Sequence, residues 1–79
     1  SEMCIRDSLS LYDAAHNTEL LRTLRAYLLA DSQLAAAATE LSVHRHTVRA
    51  RIEKIQSLCG FDLSNPVTRA EVLLLCLSD

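Results

Sequence analysis

The sequence is poor in the residues that build turns, sheets and disulfide networks. Its 79 residues include one glycine, one proline, two tyrosines, one phenylalanine and no tryptophan. So few turn residues exclude a sandwich or barrel of many short strands. The three cysteines form no CxxC motif, so neither a disulfide framework nor a zinc ribbon is indicated, and a reducing, cytoplasmic location is expected. No uncharged apolar run approaches the roughly 18 residues that a membrane-spanning helix needs.

The residues that are present favour helices. Apolar residues make up 49% of the chain, and leucine and alanine, both good helix formers, dominate among them. A chain of this length buries roughly 60% of its unfolded surface, which is sufficient for one small domain. The formal net charge of −2 opposes non-specific binding to nucleic acid unless the basic residues are concentrated in one place.

The first eight residues, SEMCIRDS, resemble the translation of a transposon-based sequencing adapter. This resemblance implies an open reading frame from an assembled environmental read, in which the native N-terminal part is missing. Residues 9–16 show no clean periodicity and are interpreted as a connector. We therefore expect residues 1–16 to be disordered, residues 1–8 to pack on nothing, and residues 17–79 to form the domain.

Apolar spacing predicts an all-α domain with four helices in residues 17–79. Asn17 or Thr18 is expected to cap the first helix, whose apolar face is Leu20, Leu21, Leu24, Tyr27 and Leu28. Ser32 is the candidate cap of a second, short helix, whose apolar face is Leu34, Ala37, Ala38 and Leu41. The small alanines of this face allow another helix to approach closely.

Two further helices complete the predicted domain. The longer one covers residues 44–58 and has the apolar face Val48, Ile52, Ile55 and Cys59. Gly60 is placed for a left-handed C-terminal residue, after which Phe61 can pack back on the helix. Asn65 caps the final helix and Pro66 takes its first position, where no N–H is needed. The expected apolar residues of this last helix are Val67, Ala70, Leu73, Leu74 and Leu77.

Basic residues are concentrated in the longer helix. Residues 44–54 read HRHTVRARIEK, in which Glu53 is the single acidic residue. Its basic and small polar side chains crowd the N-terminal turns of a helix that follows a short helix and a tight turn. This is the arrangement of a helix-turn-helix, in which side chains at the start of the second helix reach base edges. On periodicity alone, a basic surface that is merely solvated is an equally good interpretation.

The order of residues resembles that of a known family. The pattern runs from Leu21-x-x-Leu24-Arg25-Ala26-Tyr27-Leu28 through Leu34…Ala38-x-x-Leu41-x-Val43-His44-Arg45-x-Thr47-Val48-Arg49-x-Arg51-Ile52, then Ile55 and Gly60-x-Asp62-Leu63…Pro66…Arg69. It resembles the C-terminal DNA-binding domain of the PucR family of bacterial transcriptional regulators, which includes the sugar-diacid regulator CdaR. More distantly it resembles the Fis-type helix-turn-helix. The resemblance implies a four-helix C-terminal domain that binds double-stranded DNA sequence-specifically and follows a sensory region that is absent here. We also expect a homodimer in the full-length regulator, because one domain offers few phosphate contacts and helix-turn-helix proteins commonly pair.

The resemblance and the helical pattern together predict a set of DNA-contacting residues. They are His44, Arg45, His46, Thr47, Arg49, Ala50, Arg51 and Lys54. Arg45, at the start of the helix, is assigned to a base edge, for which guanine is the expected partner. Arg49, Arg51 and Thr47 are assigned to phosphates. The family usually has asparagine where this chain has His46, and an aromatic residue where it has Ala50.

Other kinds of site are not indicated by the sequence. His44 and His46, two apart on a helix, would point roughly 200° apart and could not share one metal ion. Cys59 and Cys76 lie on apolar stripes, where a cysteine is usually a small buried hydrophobe. There is no glycine-rich phosphate loop and no carboxylate cluster, so neither an enzyme nor a cofactor is predicted.

One alternative from another class remains open, namely a helical interaction or dimerisation module. Residues 73–77 are richer in apolar side chains than one buried face needs. DNA binding requires Arg45, Arg49, Arg51 and Lys54 to be exposed. An interaction module would instead expose residues 73–77.

Overall fold

The computed structural model describes residues 5–77, which form five α-helices and no strand. They are α1 (Ile5–His16), α2 (Leu20–Leu29), α3 (Leu34–Leu41), α4 (Arg45–Cys59) and α5 (Pro66–Leu77). The last four correspond to the four predicted helices. The all-α class is therefore confirmed, and α1 is an addition to it.

Helix α2 lies at the centre of the fold, because it packs against each of the other four helices. Leu24 on α2 and Val48 and Ile55 on α4 are completely buried. The full set of buried apolar residues is Leu9, Leu20, Leu24, Leu28, Ala37, Ala38, Leu41, Val48, Ile52, Ile55, Leu63, Val72 and Cys76. The apolar faces predicted for α2, α3 and α4 thus point into one core, with Leu21, Tyr27, Leu34 and Cys59 half-buried at its margin.

Helix α5 presents a different face to the core from the predicted one. Val72 and Cys76, which are four residues apart, are buried. Of the predicted residues, Leu73 packs half-buried against the core, whereas Val67, Ala70, Leu74 and Leu77 are exposed. Because almost every position between residues 72 and 77 is apolar, periodicity could not select the inward face. The contacts of α5 with α1 and α2 select it instead.

Residues 5–16 differ most from the sequence-based expectation. They form a helix in which Leu9 is 1% exposed, and Ile5 and Tyr12 pack against the core. The expectation of a disordered connector, and of residues 1–8 packing on nothing, is wrong for this part. Ile5, Leu9 and Tyr12 are spaced four and three apart, which is a helical stripe, but it crosses the boundary between the adapter-like and connector segments. Cys4 and the rest of residues 1–4 lie outside the described residues.

The start of α2 is capped from the preceding helix. The carboxylate of Asp13 accepts hydrogen bonds from the backbone N–H groups of Leu20 (2.7 Å) and Leu21 (3.0 Å) and from the hydroxyl of Thr18 (2.6 Å). The predicted cap at Asn17 or Thr18 is therefore wrong. Asn17 has a left-handed backbone (φ 54°) that turns the chain, so that Asp13 comes to lie over the helix N-terminus. An aspartate there also suits the helix dipole.

The caps of the other helices agree with the sequence except at α3. The Asn65 side chain accepts from the N–H groups of Val67 (2.9 Å) and Thr68 (3.3 Å), with Pro66 at the first helical position. Gly60 ends α4 in the left-handed region (φ 72°). Ser32 does not cap α3, because it is itself left-handed (φ 60°) and Gln33 takes the N-cap position.

The five described helices contain between 8 and 15 residues each. None of those in residues 5–77 has the length and apolarity to cross a bilayer.

Candidate nucleic-acid interface

A tight turn joins α3 to α4. Ser42 adopts the left-handed conformation (φ 57°, ψ 42°), and the N–H of Val43 donates to the carbonyl of Ala38 across 3.0 Å. This hydrogen bond, from the sixth residue to the first, is typical of a Schellman motif. The left-handed residue of that motif is usually glycine, but here it is Ser42. Val43 then packs back on the core. The turn therefore directs the chain from α3 into α4 without a glycine.

His44 is the N-cap of α4. Its backbone is extended, and its Nδ1 accepts from the N–H of His46 across 3.1 Å. The two imidazole rings stack, with 4.7 Å between their centroids and 16° between their planes. The expectation that they point apart is wrong, since His44 lies just outside the helix. No group of three metal-binding side chains occurs within residues 5–77.

The N-terminal turns of α4 carry free side chains. Arg45, His46, Arg49 and Ala50 are exposed, and Thr47 is half-buried. Within the described part of the chain, neither Arg45 nor Arg49 forms an ion pair or a side-chain hydrogen bond. Their charges are thus not neutralised internally and remain available to an anionic partner.

The later turns of α4 carry cations that contact neighbouring helices. Arg51 is half-buried, and its Nη1 donates to Oγ1 of Thr23 on α2 across 3.2 Å. Lys54 is exposed, but its Nζ lies 5.8 Å from the ring centroid of Tyr12 on α1, a cation–π distance. Of the predicted DNA-contacting residues, Arg51 alone bonds to another helix.

Thr23 and Tyr12 were not identified from the sequence. Thr23 is fully buried (0% exposed) and is the single buried polar residue among those described. Its sequence signal is a polar residue three positions after Leu20, on the inward face of α2. Tyr12 lies in residues 9–16, which the sequence alone indicates to be a connector. The contacts of both residues with α4 are long-range, so no local pattern predicts them.

Two groups near the C-terminal end of α4 have shifted pKa values. Burial raises the pKa of the Cys59 thiol, which disfavours the reactive thiolate. Hydrogen bonds from the hydroxyl and N–H of Ser64 lower the pKa of the Asp62 carboxyl. Neither group faces the exposed arginines through any contact in residues 5–77. These shifts therefore give no sign of acid–base chemistry at the interface.

The geometry is that of a helix-turn-helix with a basic second helix, and comparison with known proteins identifies it. The family model of the PucR C-terminal helix-turn-helix domain matches residues 20–77. The chain belongs to this family. As a PucR-type helix-turn-helix domain, the chain is a DNA-binding domain, and α4 occupies the place of the recognition helix in this motif.

Curated relatives of this PucR-type domain are regulators from Bacillus subtilis strain 168. The chain is similar to the proline-responsive transcriptional activator PutR, with 39% identity over 62 residues, which are 78% of this chain and 15% of the relative. It is also similar to the purine catabolism regulatory protein, with 42% identity over 55 residues, or 70% of this chain and 10% of the relative. With the DNA-binding transcriptional activator AdeR it shares 32% identity over 57 residues, 72% of this chain and 14% of the relative.

The PucR-type domain is thus matched to a small part of much longer proteins. The aligned region spans between 10% and 15% of the length of these relatives. No solved structure matches the chain.

Proposed function

We propose that the N-terminal turns of α4 enter the major groove of double-stranded DNA and read its sequence. The observation that carries this proposal is the pair of exposed, unpaired arginines Arg45 and Arg49, one turn apart on the recognition helix. Side chains at the start of a recognition helix reach deepest into the groove. A cytoplasmic, bacterial location accompanies this role, since the DNA is there.

The two arginines have different partners in this proposal. Arg45, the first residue of α4, donates to a base edge, for which guanine is the expected base because its O6 and N7 accept both arms of a guanidinium. Arg49, one turn later, lies where the helix rises from the groove floor and binds a phosphate. Thr47 adds a hydroxyl, and Lys54 a charge, to the backbone contacts. His44, His46 and Ala50 border the same surface, with Ala50 offering only methyl contact.

A single domain of this kind provides few phosphate contacts, and the net charge of −2 adds no general attraction. We therefore propose that useful affinity requires a homodimer of the full-length regulator. Two recognition helices then meet successive major grooves about 34 Å apart.

The alternative of an interaction module is not favoured by the distribution of exposed residues. Of the four residues that DNA binding was expected to expose, Arg45, Arg49 and Lys54 are exposed and Arg51 is half-buried. Leu74, Leu75 and Leu77 of α5 are also exposed. Exposure therefore does not separate the two functions, and membership of the PucR-type family decides for DNA binding.

The test begins with selection of binding sequences from a random duplex library by the purified chain. Binding of Arg45→Ala and Arg49→Ala is then measured on the selected and on a scrambled duplex across a salt series. Arg45→Ala is expected to cost about 1–3 kcal/mol on the selected duplex and to relax preference at one position. Arg49→Ala is expected to weaken both duplexes alike and to reduce the salt slope by about 0.9.

Two outcomes would contradict the proposal in different ways. If Arg45→Ala weakens both duplexes equally while Arg49→Ala changes base preference, the roles of the arginines are reversed. If neither variant changes binding, the basic surface of α4 is only solvated. Glu53→Gln, on the same helix, is the matched control for a change of exposed charge and should not relax base preference.

A further inference from the structure

The hydrogen bond between Arg51 and Thr23 links the recognition helix to α2. Nη1 of Arg51 donates to Oγ1 of Thr23 across 3.2 Å, and Oγ1 donates onward to the carbonyl of Glu19 across 2.8 Å. A hydroxyl can donate one hydrogen bond, and here the carbonyl of Glu19 accepts it. The lone pairs of Oγ1 are therefore left to accept from Arg51. Since Thr23 is fully buried, its side chain cannot turn away to solvent.

The partner of Arg51 orients the guanidinium without neutralising it. Within residues 5–77, Arg51 forms no ion pair, and its side chain is only half-buried. A guanidinium has five N–H donors in a rigid plane, so a bond through Nη1 to one hydroxyl leaves others free. A carboxylate in place of Thr23 would hold the guanidinium equally well but would cancel its charge. A neutral acceptor preserves the charge that attracts a phosphate.

We propose that Thr23 is a positioning residue for DNA binding, which holds the Arg51 guanidinium so that its remaining N–H groups donate hydrogen bonds to a backbone phosphate. This inference rests on the function proposed above, in which α4 binds DNA. Thr23 itself does not touch DNA, and it lies on α2, outside the helix-turn-helix formed by α3 and α4. An arginine that is already oriented loses less conformational entropy on binding than a free one.

The experiment compares variants of the purified chain on a mixed-sequence duplex of about 20 base pairs, long enough for two half-sites. Thr23→Val keeps the volume and removes the hydroxyl, whereas Thr23→Ser keeps the hydroxyl and removes the methyl group. The carbonyl of Glu19 retains its bond from the Thr23 N–H (3.0 Å) in both variants. Thr68→Val makes the same chemical change on α5 and serves as the matched control. Circular dichroism verifies that each variant is folded at the temperature of the binding assay.

Affinity and salt dependence should separate orientation from charge. Thr23→Val is expected to bind about two- to tenfold more weakly with an unchanged salt slope, because the charge of Arg51 stays but its orientation is lost. Thr23→Ser should retain binding. Arg51→Gln should lower both the affinity and the slope, the slope by about 0.9. Adding Thr23→Val to Arg51→Gln should have no further effect, since the group to be oriented is already absent.

Several results would overturn the inference. Equal losses in Thr23→Val and Thr23→Ser would show that Thr23 acts through packing alone. Wild-type binding by Thr23→Val or by Arg51→Gln would show that the link does not serve DNA binding. If Thr23→Val does not fold, Arg51→Lys decides, because it keeps the charge but not the planar fork. Its binding should fall with the slope unchanged, and wild-type affinity would contradict the proposal.

The same experiment distinguishes failure of this inference from failure of the proposed function. If Arg49→Ala weakens binding while Arg51→Gln does not, DNA binding stands and the role of Thr23 falls. If the wild-type chain and Arg49→Ala both fail to bind the duplex at low salt, at protein concentrations high enough to measure the weak binding of a single domain, the proposed function falls with it.

Discussion

The two halves of α4 carry the same kind of charge but hold it differently. In the N-terminal half, Arg45 and Arg49 project from the fold without any side-chain partner in residues 5–77. In the C-terminal half, Arg51 bonds to Thr23 on α2, and Lys54 lies over the ring of Tyr12 on α1. Gln56, further along, accepts from the N–H of Leu63 across 2.7 Å and ties α4 to the following loop.

The difference separates two tasks within one helix. Free side chains sample several rotamers until a partner selects one, which suits a residue that must adapt to a base edge, as proposed for Arg45. Side chains that contact other helices are ordered beforehand and lose less entropy when a phosphate arrives. In the binding mode proposed above, Arg45 and Arg49 of the free half meet a base edge and a phosphate, whereas Arg51 of the other half meets a phosphate with its guanidinium already held by Thr23. The core beneath α4 holds both halves in place.

The largest expected effect comes from a cavity in the part of the core that supports both halves of α4. Ile55→Ala leaves a cavity beneath α4, because Ile55 is completely buried. We expect a loss of about 2–5 kcal/mol in the free energy of unfolding, measured by chemical denaturation. Ser57→Ala, at an exposed position of the same helix, is the matched control and should stay close to wild type. Wild-type stability of Ile55→Ala would mean that α4 is not anchored through this residue.

A smaller effect is expected at the start of α2, the helix that contacts the C-terminal half of α4 through Thr23. Asp13→Ala removes the acceptor of the Leu20 and Leu21 N–H groups at the start of α2. The free energy of unfolding should fall by about 1–2 kcal/mol, as for the loss of an N-terminal cap. Asp13→Asn keeps one oxygen and should recover part of the loss. If both variants melt with the wild type, α1 does not cap α2 in solution.

The stability of the N-terminal half of α4 should depend on its own N-cap, His44. His44→Ala removes the Nδ1 that accepts from the His46 N–H, and a loss of about 0.5–1 kcal/mol is expected. His44→Asn replaces the imidazole by an amide oxygen that also caps well, so its thermal stability should stay near that of wild type. A DNA-binding defect that His44→Asn shares with His44→Ala would then reflect lost contact with DNA and not a frayed helix.

The smallest effect is expected from the contact between Tyr12 and Lys54. Tyr12→Leu removes the ring beneath the ammonium, and about 0.5 kcal/mol of unfolding free energy should be lost, because Lys54 is exposed and a cation–π contact is weak there. Tyr12→Phe keeps the ring and is the control. In a Lys54→Ala background, the difference in unfolding free energy between Tyr12→Leu and Tyr12→Phe should become smaller. A difference of the same size in both backgrounds would assign the effect to packing or to the stacked ring of His16 and not to the cation.

Much of the recognition module could be predicted from local patterns. The spacing of Leu20, Leu24, Ala37, Val48 and Ile55 placed three helices with their inward faces correct. Gly60 and Asn65 marked the ends of two helices, because their roles depend on backbone geometry within a few residues. The crowding of cations after residue 44 located the candidate interface. In α5 the same method selected the wrong face, since a run of apolar residues has no period to read.

Features that join distant parts of the chain were beyond that reach. The helical stripe of α1 crosses the boundary between the adapter-like residues and the connector, so neither segment shows it alone. Asp13 caps a helix that begins seven residues later, and Thr23 meets Arg51 across 28 residues of sequence. Hydrophobic periodicity reports which face of a helix turns inward but not which side chains of two helices meet. Packing of α4 against α2, together with the contact of Lys54 with Tyr12 on α1, therefore decides which of its cations are held and which remain free.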